Sequence, residues 1–264
     1  MVKTIKPIPL MPFHTVARDS VVCAVCGTGN ICDGTMCGRC ETHAEYRFER
    51  ADQTGFLVAT RDGTPAGNVM WNYKATPPDP RAEVQVRILL RHFERNHLDC
   101  TSDTQMTPVT AWATIPSLKG REGPHPIREI WASIIGDRTG LDEIEMTGQT
   151  IPDKHERRRF EPAHFTVESR VRRFDHVLVI DDTWVSGGHS QSAAAALRAA
   201  GAGIVSVLTV ARWFQWDFPG GFSFPERKAA REAWAAEHLV PYSPERCPWT
   251  PDGVCPSVPS RWWD

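Results

Sequence analysis

No apolar run in this chain of 264 residues approaches the roughly 20 residues that a membrane-spanning helix needs. A dominant charge is equally absent: 30 Lys and Arg stand against 32 Asp and Glu, a formal net charge of −2. Such a chain has no global field for drawing in nucleic acid, so any contact of that kind must use a local patch. A secretory leader is not legible either. Met1-Val2-Lys3-Thr4-Ile5-Lys6-Pro7 is basic, but Pro7, Pro9 and Pro12 interrupt the apolar segment and no small-residue cleavage site follows. The expectation is a cytoplasmic protein with no membrane contact. Two nucleotide-binding signatures are missing as well. A P-loop needs Gly-x4-Gly-Lys-Ser/Thr, and no such string occurs. A dinucleotide fold needs Gly-x-Gly-x-x-Gly after an early strand; Gly27-Thr28-Gly29 lies between cysteines instead.

Cysteine is present in a pattern. Five of the 8 cysteines fall in a short N-terminal window. Cys23-Ala24-Val25-Cys26 and Cys37-Gly38-Arg39-Cys40 are paired knuckles, with Gly27, Gly29 and Gly34 between them. Paired spacing favours a metal over disulfides, and each knuckle can supply two thiolates to one tetrahedral zinc ion. The linker is shorter than the roughly 15–20 residues of the commonest pattern, and Cys32 and His43 are spare ligands. Four protein ligands leave no open position, so residues 1–45 read as a structural zinc-ribbon-like clip without chemistry. Metal binding would supply most of its folding free energy, on the order of 10 kcal/mol. Cys100 reads as solitary. Cys247 and Cys255 form an incomplete pair that either joins the N-terminal metal or stays as reduced thiols.

With 41% hydrophobic residues the chain can bury one large core beside that appendage. Residues 46–264 read as one α/β domain, a mainly parallel sheet flanked by helices. Strands are expected at Tyr46 to Phe48, Gly55 to Thr60, Val109 to Ile115 and Phe165 to Glu168. Asp62-Gly63 and Pro65 read as turns. Helices are expected at Ala82 to His97, whose Val84, Ile88, Leu89 and Phe93 fall near helical spacing, at Ile127 to Ile135, and at Pro225 to His238. The loop between Val109–Ile115 and the next helix carries Ser117, Lys119, Gly120, Arg121 and Gly123. It reads either as an ordinary solvated loop or as an anion-binding one. His125, between two prolines, reads as a turn residue. The basic run Lys154 to Arg159, with Arg170, Arg172 and Arg173, reads first as a solvated face; pyrophosphate contact and a nucleic-acid patch are the alternatives.

The most informative stretch is Val177 to Ser190. Val177-Leu178-Val179-Ile180 is an apolar strand running into Asp181 and Asp182. Thr183-Trp184-Val185-Ser186-Gly187-Gly188-His189-Ser190 follows as a loop of hydroxyls and glycines. Gln191 to Ala200 is alanine-rich and reads as a helix, with Gly201 at its left-handed C′ position. Ile204 to Val210 reads as the next strand, joined by a parallel crossover. Small residues let the backbone approach a ligand, and a helix start offers it unpaired N–H groups and partial positive charge. That suits a phosphate. The two carboxylates beside it are placed to accept hydrogen bonds from hydroxyls, so the pattern describes a sugar phosphate.

At these residues the sequence resembles the type I phosphoribosyltransferase family, whose signature is an apolar strand, two acids, then hydrophobic-x-Thr-Thr-Gly-x-Thr. Ser186 and Gly187 match the second hydroxyl and the glycine. Thr183, Val185 and His189 depart, standing for the aliphatic residue and the first and last Thr. The knuckles ahead of the signature narrow the likeness to the ComF-like, amidophosphoribosyltransferase-like branch, with Tyr73-Lys74, Ile115-Pro116-Ser117 with Arg121, and Gln149 with Arg157 to Arg159 resembling its other elements. The resemblance implies 5-phosphoribosyl 1-pyrophosphate with magnesium as ligand and phosphoribosyl transfer to an unidentified nucleophile. Asp181 and Asp182 would then hold the ribose hydroxyls, and Ser186, Gly187, Gly188, His189 and Ser190, with Thr183 and Val185, would form the 5-phosphate loop. Lys119 or Arg121 and Ser117 would serve the pyrophosphate. The alternative it implies is a non-catalytic accessory protein whose zinc segment and basic stretch contact single-stranded DNA or a DNA-processing protein.

Overall fold

The computed structural model describes residues 10–18, 22–28, 35–45, 50–120, 123–136, 140–214 and 225–256. Arg121, Cys32 and the strand expected at Tyr46 to Phe48 lie outside them.

In chain order the elements are β1 (His14–Val16), α1 (Gly38–Glu45), β2 (Gln53–Thr60), α2 (Pro65–Asn72), α3 (Pro80–Gln105), β3 (Ala111–Thr114) and α4 (Pro126–Ile135). Then come β4 (Asp142–Glu143), β5 (Met146–Gly148), β6 (Phe165–Val167), β7 (His176–Trp184), α5 (Gly188–Ala199), β8 (Ile204–Trp213), α6 (Pro225–His238) and β9 (Leu239–Pro241). Seven strands form one sheet in the order β4-β3-β7-β8-β2-β1-β9. The first five are mutually parallel, and β1 and β9 close one edge in antiparallel pairing.

Both faces of the central strands are covered, as a parallel sheet requires. Leu178 and Ile180 of β7 and Leu208 and Val210 of β8 pack with α2, α3 and α4. The alternate residues Val177, Val179, Val205 and Val207 face the other way, with alanines of α5 and the four N-terminal cysteines. The strand period of 2 therefore divides one apolar run between two cores.

Several elements depart from expectation. Pro65 opens α2 instead of a turn: Thr64 caps it by accepting from the Gly67 N–H, and proline suits the first helical position. Helix α3 runs eight residues beyond His97, through Cys100, to a left-handed cap at Met106 with φ 49°. Ser102, Asp103 and Thr104 blur its apolar period, but Leu98, Cys100 and Thr101 are buried and carry the helix on. The segment at Phe165 does not join the main sheet. It pairs antiparallel with β5 in a separate ribbon. Helix α5 begins at Gly188, three residues ahead of Gln191. Its other end is as expected: Gly201 has φ +116°, and its N–H and that of Ala202 bond to the carbonyls of Arg198 and Leu197, the paired bonds of a glycine helix stop.

Candidate functional site

Strand β3 leads through α4 outward to β4, whereas its neighbour β7 leads through α5 the opposite way, to β8. The β3–β7 border is thus the point where the connections diverge, and the crevice beyond the carboxyl ends of such strands is where open α/β sheets bind ligands. The loops after β3 and β7, singled out above, are the two that flank it.

The β7 loop is built on a tryptophan. Trp184 is 1% exposed and meets Phe56 edge-on, ring centroids 5.4 Å apart. It sits so close beneath Gly187, φ +83°, that a Cβ there would lie 2.4 Å from the indole. Only glycine combines that φ with that contact. Gly188 is equally confined: a Cβ on it would lie 2.1 Å from the Arg158 carbonyl oxygen. Ser186 Oγ donates to the same carbonyl at 3.5 Å, and the Glu161 N–H donates to Ser192 Oγ at 2.7 Å. The segment around Arg157 to Glu161 therefore lies across the start of α5. Within the loop, Thr183 Oγ1 and His189 Nε2 are buried without a hydrogen-bond partner. Burial holds the His189 imidazole neutral, pulled down to about 4 against the Arg157 carbonyl and Asp182.

The two aspartates are treated in opposite ways. Asp181 accepts from Ser190 Oγ, at 2.6 Å, and from the Asp182 backbone N–H. Burial, then the charge of Asp182, pushes its carboxyl up to about 7. Asp182 is buried too, but Lys74 and His125 outweigh that cost and, with hydrogen bonds from Lys74 and Tyr73, hold it well below the usual carboxylate range. The Tyr73 hydroxyl donates to Oδ2 at 2.8 Å and Lys74 Nζ to the same oxygen at 2.5 Å. His125 Nε2 is 3.7 Å away, while its Nδ1 accepts from the Ile127 N–H and caps α4. His125 is more than a turn residue, and nothing in its local sequence marks it as a neighbour of Asp182.

A raised carboxyl pKa means that the folded state binds the proton more tightly than the unfolded chain. Its contribution to stability is complete below the ordinary value of 3.8 and is lost as pH rises through about 7. Asp181→Asn is therefore expected to gain melting temperature over the parent between pH 4 and pH 8. A difference independent of pH would show that this carboxyl ionises normally.

On the β3 side, the Lys119 N–H donates to Ser117 Oγ at 3.2 Å. The Lys119 ammonium is pushed down by burial and by Lys74, Arg157 and Arg158, against the pull of Asp182. Lys119 thus lies among cations from two other segments and within reach of Asp182, which favours an anion beside it. The basic run is only partly solvated. Arg157 Nη1 donates to the carbonyls of Ile151 and Pro152 at 2.5 and 2.7 Å, whereas Arg159 pairs with Glu156 on an exposed face. A cleft with Ser117, His125 and the Arg128–Glu143 ion pair on its walls opens beside the loop.

The sulfurs of Cys23, Cys26, Cys37 and Cys40 are buried and lie within 4.8 Å of one another, with Cys26 and Cys37 at 3.7 Å. Tetrahedral bonds of about 2.3 Å place zinc-bound sulfurs about 3.8 Å apart, so the cluster can hold a metal such as zinc. His43 instead packs against Phe160, with the rings tilted by 46° and their centroids 5.3 Å apart. Arg212 ties this cluster to the β7 loop. Its Nε donates to the Cys26 carbonyl at 2.7 Å, and its Nη1 to those of Trp184 and Val185 at 3.1 and 3.2 Å.

Fold and site define an α/β protein with a mostly parallel, helix-flanked sheet, an acid pair and glycine loop at its switch point, and a buried tetracysteine cluster. No family model and no curated protein matches the chain. Among solved structures it is similar to a hypoxanthine phosphoribosyltransferase from Staphylococcus aureus, at 14% identity and a TM-score of 0.32, over 52% of this chain and 77% of that one. No helix among the described residues is long and apolar enough to cross a membrane.

Proposed function

We propose that the protein binds 5-phosphoribosyl 1-pyrophosphate with magnesium and transfers its phosphoribosyl group to a nucleophile, residues 46–264 forming the ligand domain and residues 1–45 the zinc clip. One observation carries this reading: Asp181 and Asp182 lie near the carboxyl end of the central strand, which runs on only through Thr183 and Trp184 before a glycine loop opens a 12-residue helix. The helix start and loop N–H groups of Ser186 to Ser190 would cradle the 5-phosphate. The orphaned Thr183 Oγ1 and His189 Nε2 are a donor or acceptor reserve that a phosphate or its water could use.

The two carboxylates would accept from the ribose 2- and 3-hydroxyls. The hydrogen bonds that Asp182 receives from Tyr73 and Lys74 both fall on Oδ2, which fixes the carboxylate plane. Held in this way, the acid pair would also stabilise positive charge at C1 as its bond to pyrophosphate breaks. The electron pair leaves with pyrophosphate, Lys119 and Ser117 receive that anion, with Arg121 following them in the chain, and the nucleophile bonds to C1 and releases a proton. Magnesium would arrive on pyrophosphate oxygens, because the metal-ligand clusters among the described residues are cysteine-rich and neither includes the acid pair; this ion needs no protein cage.

Calorimetric titration of the zinc-loaded protein with 5-phosphoribosyl 1-pyrophosphate and magnesium is expected to show one site per chain. Asp182→Asn, which removes one carboxylate charge from the acid pair, is expected to abolish pyrophosphate release. No binding by folded parent protein sinks the reading. Binding without turnover across amines and bases supports the second one, a ligand-responsive accessory protein, which the Thr183, Val185 and His189 departures favour. Salt-dependent binding to single-stranded DNA would extend that second reading.

A further inference from the structure

Cys100, Cys247 and Cys255 are far apart in the chain and join neither the N-terminal cluster nor the proposed ligand site. The fold brings them together with His97: the imidazole nitrogen and three sulfurs lie within 4.8 Å of one another. We propose that these four residues form a second zinc site, which fastens the C-terminal segment to α3.

The geometry has three independent parts. His97 and Cys100 are three residues apart on α3 and so share one face of it; both are buried, at 3% and 6% exposure. The His97 ring is oriented from its far side, where Nε2 lies 2.9 Å from the Pro244 carbonyl. That carbonyl can only accept, so Nε2 carries the proton and Nδ1 presents its lone pair. Nδ1 points at sulfur, 3.4 Å from Cys255 and 4.0 Å from Cys100. A ligating histidine is commonly held through its other nitrogen by a backbone carbonyl in this way. Donors bound at about 2.0–2.3 Å in a tetrahedron lie about 3.5–3.8 Å apart, so small movements would close the set on an ion.

A third part is electrostatic. Arg18 lines the same small cavity as His97 and Cys247. Its Nη2 is buried with no hydrogen-bond partner, and its guanidinium lies over Phe56, 5.1 Å from the ring centroid. A buried cationic N–H left without a hydrogen bond is costly. Zinc bound by three thiolates and an imidazole carries net negative charge, so a metal at this second cluster would stabilise Arg18.

The segment fastened here has little else to order it. From Tyr242 to Pro256 it contains turns and no helix or strand, yet Cys247 and Trp249 are buried. Trp249 packs edge-on to Phe93, centroids 6.0 Å apart, and so tightly over Gly55 of β2 that a Cβ there would lie 2.9 Å from its ring. Four protein ligands make the site closed and structural, and three thiolates with one imidazole suit zinc over harder cations. The proposal stands apart from the phosphoribosyl reading, since no ligand residue belongs to that site.

Elemental analysis of the full chain, purified under reducing conditions, is expected to find two zinc ions. Cys247→Ser with Cys255→Ser should remove one and leave the other. The N-terminal cluster is all sulfur, so an imidazole nitrogen in the zinc X-ray absorption spectrum of the unaltered protein reports the second site alone, whether or not the double variant folds. A sulfur-only spectrum, a folded double variant that keeps all the metal of the parent, or a disulfide among Cys100, Cys247 and Cys255 in the purified protein would overturn the proposal.

Discussion

Trp184→Ala is expected to destabilise the protein by about 3–5 kcal/mol, the usual cost of emptying a buried tryptophan site, and to weaken ligand binding in the same step. The indole is 1% exposed and supports the loop from below, with Gly187 in contact and Phe56 at its edge. Removing it leaves a cavity beneath a backbone whose φ was set by that contact, so the N–H groups of the loop lose their common direction. Trp184→Phe should recover most of the stability and less of the affinity, because a smaller ring fills the core but not the space under Gly187. Urea denaturation and calorimetric titration of 5-phosphoribosyl 1-pyrophosphate measure the two effects. An alanine variant with parental affinity would show that the loop is shaped from above, by the Arg158 carbonyl, instead.

Withdrawing metal from the N-terminal cluster, by chelation or by Cys40→Ser, is expected to remove binding free energy on the order of 10 kcal/mol. For a chain of this size the melting temperature should fall by roughly 10 °C or more. The loss does not stay local. The four cysteines share a core with Phe56, Ala113, Val177 and Val179, and the Thr54 hydroxyl donates to the Val25 carbonyl. Arg212, 6% exposed, spans from the Cys26 carbonyl to those of Trp184 and Val185. When the knuckle unfolds, a buried guanidinium loses an acceptor and the loop loses its fixed anchor. Ligand affinity should therefore fall with metal content, as followed by titration of metal-depleted and reloaded protein. Unchanged affinity in folded, metal-free protein would mean that Arg212 does not couple the two.

The elements read correctly from sequence are those whose signals are local. Val177 to Asp182 is an unbroken apolar run into two acids, and Gly201 is a helix stop directly after an alanine helix. In both, the residues that make the signal also make the structure. The knuckles are of the same kind, since two residues between cysteines suffice to turn both thiols toward one ion. Where local pattern and tertiary burial disagree, burial prevails. Helix α3 continues past His97 through Ser102 and Thr104 because Leu98 and Cys100 have a core to enter. Pro65 begins a helix because Thr64 is there to cap it.

The acid pair shows where local reading ends. Its position near the carboxyl end of a strand was legible, but not the opposite pKa shifts of two neighbours that look alike in sequence. Tyr73 and Lys74 reach Asp182 across 109 and 108 residues, and His125 arrives from the start of another helix. Asp181 also feels Lys74, but burial and the charge of Asp182 outweigh it. The same distance hides the second cysteine cluster: His97 and Cys100 are legible as one helical face only if α3 is long enough, and their partners come about 150 residues later from a segment without secondary structure. The sequence by itself determined an α/β chain, a cysteine clip and a strand–acid–glycine loop, because propensity, periodicity and short spacing act between near neighbours. Only the tertiary structure decided which carboxyl is pushed up and which is held down, what holds the loop from below and above, and which cysteines meet, because those depend on burial and on contacts between residues that the chain itself keeps far apart.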